Sequence, residues 1–141
     1  VFAASGRADL IAIHDGARPF LTGKLLSGTI GAAREHGAAA PATPVTGTVK
    51  LVRGGTVVHT VDRDGLYEIQ TPQVFKAEII KAALTAALRK SFEATDDCAA
   101  VEAIGFPVHT VRGDCCNIKI TTGEDLALAE AIAAVLDAKH I

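Results

Sequence analysis

Short apolar runs that each stop at a polar loop, separated by stretches with helical spacing, constrain this chain more than any other feature. Leu10-Ile11-Ala12-Ile13 lies between Asp9 and His14-Asp15-Gly16, and reads as a fully buried strand ending in a polar loop. Thr22 can cap a helix running to about residue 36, and Gly37 sits where a terminating glycine belongs. Residues 38–42 form a small-residue strand that stops at Pro44. Pro72 suits the first turn of a helix, in which Phe75, Ile79, Ile80, Ala83, Leu84, Ala87 and Leu88 keep helical spacing to about residue 90. Thr95-Asp96-Asp97 starts another helix, with acids in its first turn, that ends at Gly105. Residues 107–111 and Ile118-Lys119-Ile120 read as strands. Thr121 and Glu124 have capping-box spacing for a last helix to about residue 138, with Leu126, Ala129, Ile132, Ala133 and Leu136 inward. Buried strands alternating with helices predict an α/β fold on a mostly parallel sheet with one antiparallel excursion.

That excursion is a hairpin. Two β-rich runs, Thr48 to Val52 and Val57 to Val61, flank Gly54-Gly55. Neither carries enough apolar residues to be a core hairpin, so it reads as a projecting arm that needs a partner surface.

Length and composition remove whole classes. At 141 residues, 49% hydrophobic and 21% charged, the chain suits one globular domain, not a disordered tail, a collagen-like chain or a coiled coil. No apolar run reaches the roughly 18 residues of a membrane helix. A net charge of -2 with both signs mixed gives no nucleic-acid or membrane surface, leaving room for a local basic pocket. Cys98, Cys115 and Cys116 fit neither a disulfide framework nor a zinc site, and read as reduced, buried or half-buried thiols. The chain contains no Met and starts at Val1, which predicts a missing N-terminal part; the opening residues are too short for a signal peptide.

In an open α/β sheet, ligands bind beyond the carboxyl ends of strands. Asp15 there can hold a divalent metal and Arg18 a phosphate; spacing alone favours the plainer reading, in which Asp15 caps a turn and pairs with Arg18. Asp62-Arg63 reads as a surface ion pair. Thr71, in a strand-to-helix turn, is either an N-cap or a ligand contact. Thr95-Asp96-Asp97 reads as a cap. Lys119, a cation in an apolar strand, must reach an anion or the end of the sheet. The histidines show no nucleophile pattern, and no Walker loop, GxGxxG or GxSxG is present.

The order of these blocks says more than any one of them. His14 to Pro19, Pro44 to Lys50, Asp62-Arg63, Gln70-Thr71-Pro72-Gln73-Val74-Phe75, Thr95-Asp96-Asp97 and Asn117-Ile118-Lys119-Ile120-Thr121 with Glu124-Asp125-Leu126 run as in the 2-C-methyl-D-erythritol 4-phosphate cytidylyltransferase family, which the chain resembles over nearly its whole length. The Gln-Thr-Pro-Gln and Asn-Ile-Lys-Ile-Thr blocks are the specific ones, shared with ribitol-5-phosphate cytidylyltransferases.

The resemblance implies a Rossmann-like nucleotidyltransferase three-layer sandwich with a projecting β-hairpin arm. It implies one incomplete domain over 1–141, a dimerisation arm over about 44–64, and a cytoplasmic homodimer joined through that arm. It implies transfer of CMP from CTP to 2-C-methyl-D-erythritol 4-phosphate, a sugar-alcohol phosphate, with Mg2+ and release of pyrophosphate, in non-mevalonate isoprenoid biosynthesis. No nucleic-acid or membrane partner is implied. Arg63 and Lys119 match the catalytic basic pair that positions the attacking phosphate. Asp15 matches an acidic residue near metal and ribose, and Arg18 the arginine beside it that holds substrate. Thr48, Thr71 and Thr95 match polar substrate contacts, with Thr48 and Arg63 serving the neighbouring subunit's site. Two departures stand out. Gly47 replaces the family's usual aspartate, and the family's glycine-rich loop for the CTP phosphates would precede Val1. The chain therefore resembles the C-terminal two-thirds of such an enzyme, expected to be inactive alone. The competing expectations are ribitol-5-phosphate cytidylyl transfer, and a fragment that only dimerises or binds sugar phosphate.

Overall fold

The structure, a computed structural model, describes residues 1–4, 6–90 and 93–138. Helix α1 (Gly23–His36) starts where its cap dictates: the Thr22 hydroxyl accepts from the Leu25 N–H at 3.2 Å. It stops at Gly37, whose φ of 92° and N–H bond to the Ala33 carbonyl (2.8 Å) form the left-handed cap. A Cβ at Gly37 would lie 2.8 Å from Phe106 Cζ and 2.9 Å from Ile79 Cδ1, so conformation and space both demand glycine.

The main sheet runs β1 (Leu10–Ile13), β6 (Gln73–Lys76), β2 (Ala38–Pro44), β5 (Tyr67–Ile69), with β7 (His109–Arg112) on the other side of β2. It is less parallel than the sequence predicts. Among the described residues of this sheet only β2 and β7 pair in parallel; β1–β6, β2–β6 and β2–β5 are antiparallel. The reason is one long return strand. β5 pairs with Ala42 to Pro44 and β6 with Ala38 and Ala39, so together they line one edge of β2 with a break at 70–72. That return separates β1 from β2, which run the same way without pairing. β1 is an edge strand, and Ala12 in it is exposed rather than fully buried.

The break also corrects the helix predicted from Pro72. Gln73 to Lys76 is strand, and α2 (Ala77–Lys90) begins only at Ala77. Phe75 precedes Ile79 by four residues, so a buried strand residue mimicked helical spacing. Ile80 and Ala83 are buried, but Leu88 is 73% exposed.

Helices cover both faces. Ala38, Ala40 and Phe75 point to α2 and α3 (Asp97–Glu102), packing with Ile80, Ala83, Cys98, Ala100 and Val101. Ala39 and Val74 point the other way, onto Ala33 and Ile30 of α1. The alanines of β2 leave room for this close approach. Three layers result, as expected.

The arm is β3 (Lys50–Arg53) and β4 (Thr56–Thr60), a separate two-stranded sheet exposed along its length. Its turn uses Gly54 and Gly55 at φ 55° and 78°. It projects from between β2 and β5, and Val52, Val57 and Val58 are each more than half exposed.

Four further expectations change. Ile118-Lys119-Ile120 is a loop, tied to the fold by the Ile120 N–H bond to the Ala17 carbonyl at 2.9 Å. The box opening α4 (Gly123–Ala138) is Thr122 with Asp125, not Thr121 with Glu124: Asp125 Oδ2 accepts from the N–H groups of Thr121 and Thr122, each at 2.9 Å. Leu126 is 53% exposed instead of inward, while Ala129 is buried. Cys98 is buried and Cys116 half-buried, but Cys115 is exposed.

Candidate functional site

Asp15 lies just past the carboxyl end of β1, and the loop after β7 brings Lys119 to it. Lys119 Nζ stands 3.2 Å from Asp15 Oδ2, and Arg18 Nε stands 3.3 Å from the same oxygen. Arg18 also donates from Nη1 to the Asn117 carbonyl at 2.7 Å, fastening the loop from the other side. Burial pushes the Asp15 carboxyl up, but the hydrogen bonds and charges of Lys119 and Arg18 outweigh it and hold it below its ordinary value. The Asp15–Arg18 pair read as an alternative in the sequence is therefore formed. Lys119 remains at the surface, its side chain 47% exposed, whereas that of Arg18 is mostly buried at 12%.

Thr71 fixes the same loop through its hydroxyl, not as a helix cap. The Asp15 N–H donates to Thr71 Oγ1 at 3.0 Å. His14 Nδ1 lies 2.9 Å from that oxygen, and His14 Nε2 lies 3.1 Å from the Arg18 carbonyl oxygen. A carbonyl only accepts, so Nε2 carries the proton; in the neutral ring Nδ1 then accepts the proton of Thr71. In that tautomer the Thr71 hydroxyl accepts from the Asp15 N–H and donates to His14.

Two glutamines flank this threonine, and both are buried. Gln70 Nε2 donates to the Asp114 carbonyl at 2.8 Å. Gln73 Nε2 donates to Asp96 Oδ2 at 2.8 Å, and its Oε1 accepts from the Cys98 N–H at 3.0 Å. Asp96 Oδ1 caps α3 by accepting from the Ala99 N–H at 2.8 Å. Asp97 beside it is pushed up by burial and by the charges of Asp96 and Asp15. Thr95 is exposed next to the cap of α3.

The structure brings Asp15, Arg18, Thr71 and Lys119 together. Thr48 and Arg63 stand apart on the base of the arm, both exposed. Arg63 Nη1 donates to the Thr46 carbonyl at 2.6 Å, and Asp62 Oδ1 accepts from the Asp64 N–H at 3.1 Å. The expected Asp62–Arg63 pair is replaced by these local bonds. Sequence reasoning missed His14, Gln70, Gln73 and Asn117; the available signal was two glutamines around one Thr-Pro, since a buried amide must find backbone partners.

Asp15 offers one carboxylate, the kind of partial protein shell that a magnesium ion completes with substrate phosphates and water. Its Oδ2 is held by two cations, and among the described residues no group of three or more His, Cys, Asp or Glu could hold a metal. No described helix is long and apolar enough to cross a membrane.

A layered α/β domain of this kind takes its ligand at the loops beyond its strand ends, where Asp15, Arg18 and Lys119 meet. The family model described as IspD, 2-C-methyl-D-erythritol 4-phosphate cytidylyltransferase, matches residues 1–134, and the chain belongs to that family. It is 51% identical over 127 residues to the enzyme of that name from Desulforamulus reducens, covering 89% of this chain and 54% of the relative. It is 48% identical over 124 residues to that of Syntrophus aciditrophicus, covering 87% and 53%. The crystal structure from Thermus thermophilus superposes with a TM-score of 0.87 at 40% identity, covering 94% of this chain and 64% of that one. A synthase structure from Anaerococcus prevotii gives 0.86 at 38%, covering 94% and 60%. The chain spans about half the length of the curated relatives it matches, so the expected C-terminal two-thirds is not supported.

Proposed function

We propose that this chain supplies the sugar-phosphate side of a site that transfers CMP from CTP to 2-C-methyl-D-erythritol 4-phosphate. The observation that carries this reading is the convergence of Arg18 and Lys119 on Asp15 at the strand ends. The relatives' name supplies the substrate, and favours it over ribitol 5-phosphate.

The substrate phosphate oxygen attacks the α-phosphorus of CTP; a new P–O–P linkage forms, the bond to the β-phosphate breaks, and pyrophosphate leaves. Such chemistry depends on positioning and charge neutralisation. Lys119 has three N–H donors and only one is needed by Asp15, so it can hold the incoming phosphate. Arg18 keeps the Asp15 loop in place, and Thr71 with Thr95 lines the approach. No step is routed through the family's magnesium.

Residues 1–141 belong to one nucleotidyltransferase domain in this reading, with the arm over about 44–64 as its dimerisation element. Arg63 and Thr48 serve the site of a second copy, in a cytoplasmic homodimer. The exposed valines of the arm and its separation from the main sheet support this.

The test is pyrophosphate release by the natural full-length polypeptide given CTP with methylerythritol phosphate or ribitol 5-phosphate. Release with the first substrate alone is expected. Inactivity of the folded polypeptide with both would refute the reading.

A further inference from the structure

The loop over 113–120 carries Lys119 without any strand ladder. Its ends are tied by the N–H of Gly113 to the Ala42 carbonyl (2.8 Å) and of Ile120 to the Ala17 carbonyl (2.9 Å). Between them Arg18 Nη1 holds the Asn117 carbonyl at 2.7 Å, and two side-chain amides supply the remaining ties to the Thr71 turn. Gln70 grips the Asp114 backbone at two points, donating from Nε2 to its carbonyl at 2.8 Å and accepting at Oε1 from its N–H at 3.2 Å. Asn117 donates from Nδ2 to the Thr71 carbonyl at 2.9 Å, and lies 3.5 Å from Gln70 Oε1. Gln70 is 7% exposed and Asn117 fully buried. Gly113 makes the grip possible, because a Cβ there would lie 2.8 Å from Gln70 Oε1.

Asn117 Oδ1 has no partner although it is buried. Reversing the amide would set Oδ1 against the Thr71 carbonyl oxygen, so the observed orientation is the required one. A buried acceptor left unmet is a net cost to stability. An apolar residue would avoid it, but could not bind the Thr71 carbonyl.

We infer that Gln70 and Asn117 are positioning residues: they clamp the 113–120 loop to the Thr71 turn and so set Lys119 opposite Asp15. The inference rests on the proposed role of Lys119 in holding the substrate phosphate. It gives the two neighbouring turn residues distinct tasks: Thr71 holds the Asp15 loop, and Gln70 holds the Lys119 loop.

The test is a double-mutant cycle in the natural full-length polypeptide, with Asn117→Ala, Lys119→Ala and the pair, read as kcat and KM for the sugar phosphate. Amide hydrogen exchange at Ile120 is read alongside, with the β2–β7 ladder as control for the fold. We expect Asn117→Ala to lower kcat/KM at least tenfold in the parent and less than twofold in the Lys119→Ala background. Ile120 should exchange at least tenfold faster while the ladder stays protected. Equal losses in both backgrounds, or unchanged Ile120 exchange, would overturn the positioning role. Should Asn117→Ala lose ladder protection, Gln70→Glu runs the same cycle, since it keeps the shape and replaces the Nε2 donor with an oxygen facing the Asp114 carbonyl. Full activity of Lys119→Ala alone would overturn the role given to Lys119 and the positioning role with it; faster Ile120 exchange would then identify the clamp as purely structural.

Discussion

Lys119 Nζ meets Asp15 Oδ2 at 3.2 Å although one residue follows β7 and the other follows β1. With Arg18 on the same oxygen, two cations share one carboxylate at the mouth of the site. A half-exposed pair of this kind adds little to stability. Its consequence is placement: Arg18, mostly buried, holds the two loops together, and Lys119 is left with its side chain at the surface.

The Asp15 carboxyl is the direct reporter of that placement. Its folded pKa lies below the ordinary value of 3.8, so its contribution to stability is present above that value and is lost as pH falls through the folded one. Lys119→Ala leaves burial acting against only Arg18, and the Asp15 pKa should rise. Carbon-13 NMR titration of the carboxyl measures this; an unmoved pKa in the variant would show that the pair does not form in solution.

Asp125 is a second carboxyl with a structural task. The N–H and hydroxyl of Thr121 and the N–H of Thr122 hold it at about 2. Its stabilising effect on the start of α4 is therefore full above pH about 4 and lost as pH falls through about 2. Asp125→Ala should lower helicity by circular dichroism at neutral pH, and the gap from the parent should close in acid. A gap independent of pH would contradict the cap.

Phe75 is fully buried between β6 and the α2–α3 layer. Phe75→Ala should destabilise by about 3–5 kcal/mol, the range for truncating a buried aromatic ring. Urea unfolding measures it, and a loss under about 1 kcal/mol would mean that the ring does not anchor this core.

Arg63 tests the arm. Arg63→Ala in the full-length polypeptide should cost about 2–4 kcal/mol of transition-state stabilisation, the range for losing one charged contact. If the arm serves a neighbouring site, co-folding Arg63→Ala with Lys119→Ala subunits should recover activity, because mixed dimers regain one intact site. No recovery from a mixture shown to contain heterodimers would place both residues in one subunit's site.

Features governed by a few consecutive residues were legible in the sequence. Thr22 and Gly37 bound α1, Asp96 starts α3, and Gly54-Gly55 turns the arm, because caps and turns depend on φ, ψ and donors within about four residues. The ordered blocks also carried the family. Only the tertiary structure decided the rest. A strand's direction and partner depend on segments far along the chain, so residues 70–72 became a break in the return strand beside β2 and Gln73 the first residue of β6 instead of a helix start. A buried amide binds whichever backbone groups the packed fold leaves unpaired, which is why the roles of Gln70 and Asn117 emerge only when the loop after β7 folds against the turn at Thr71.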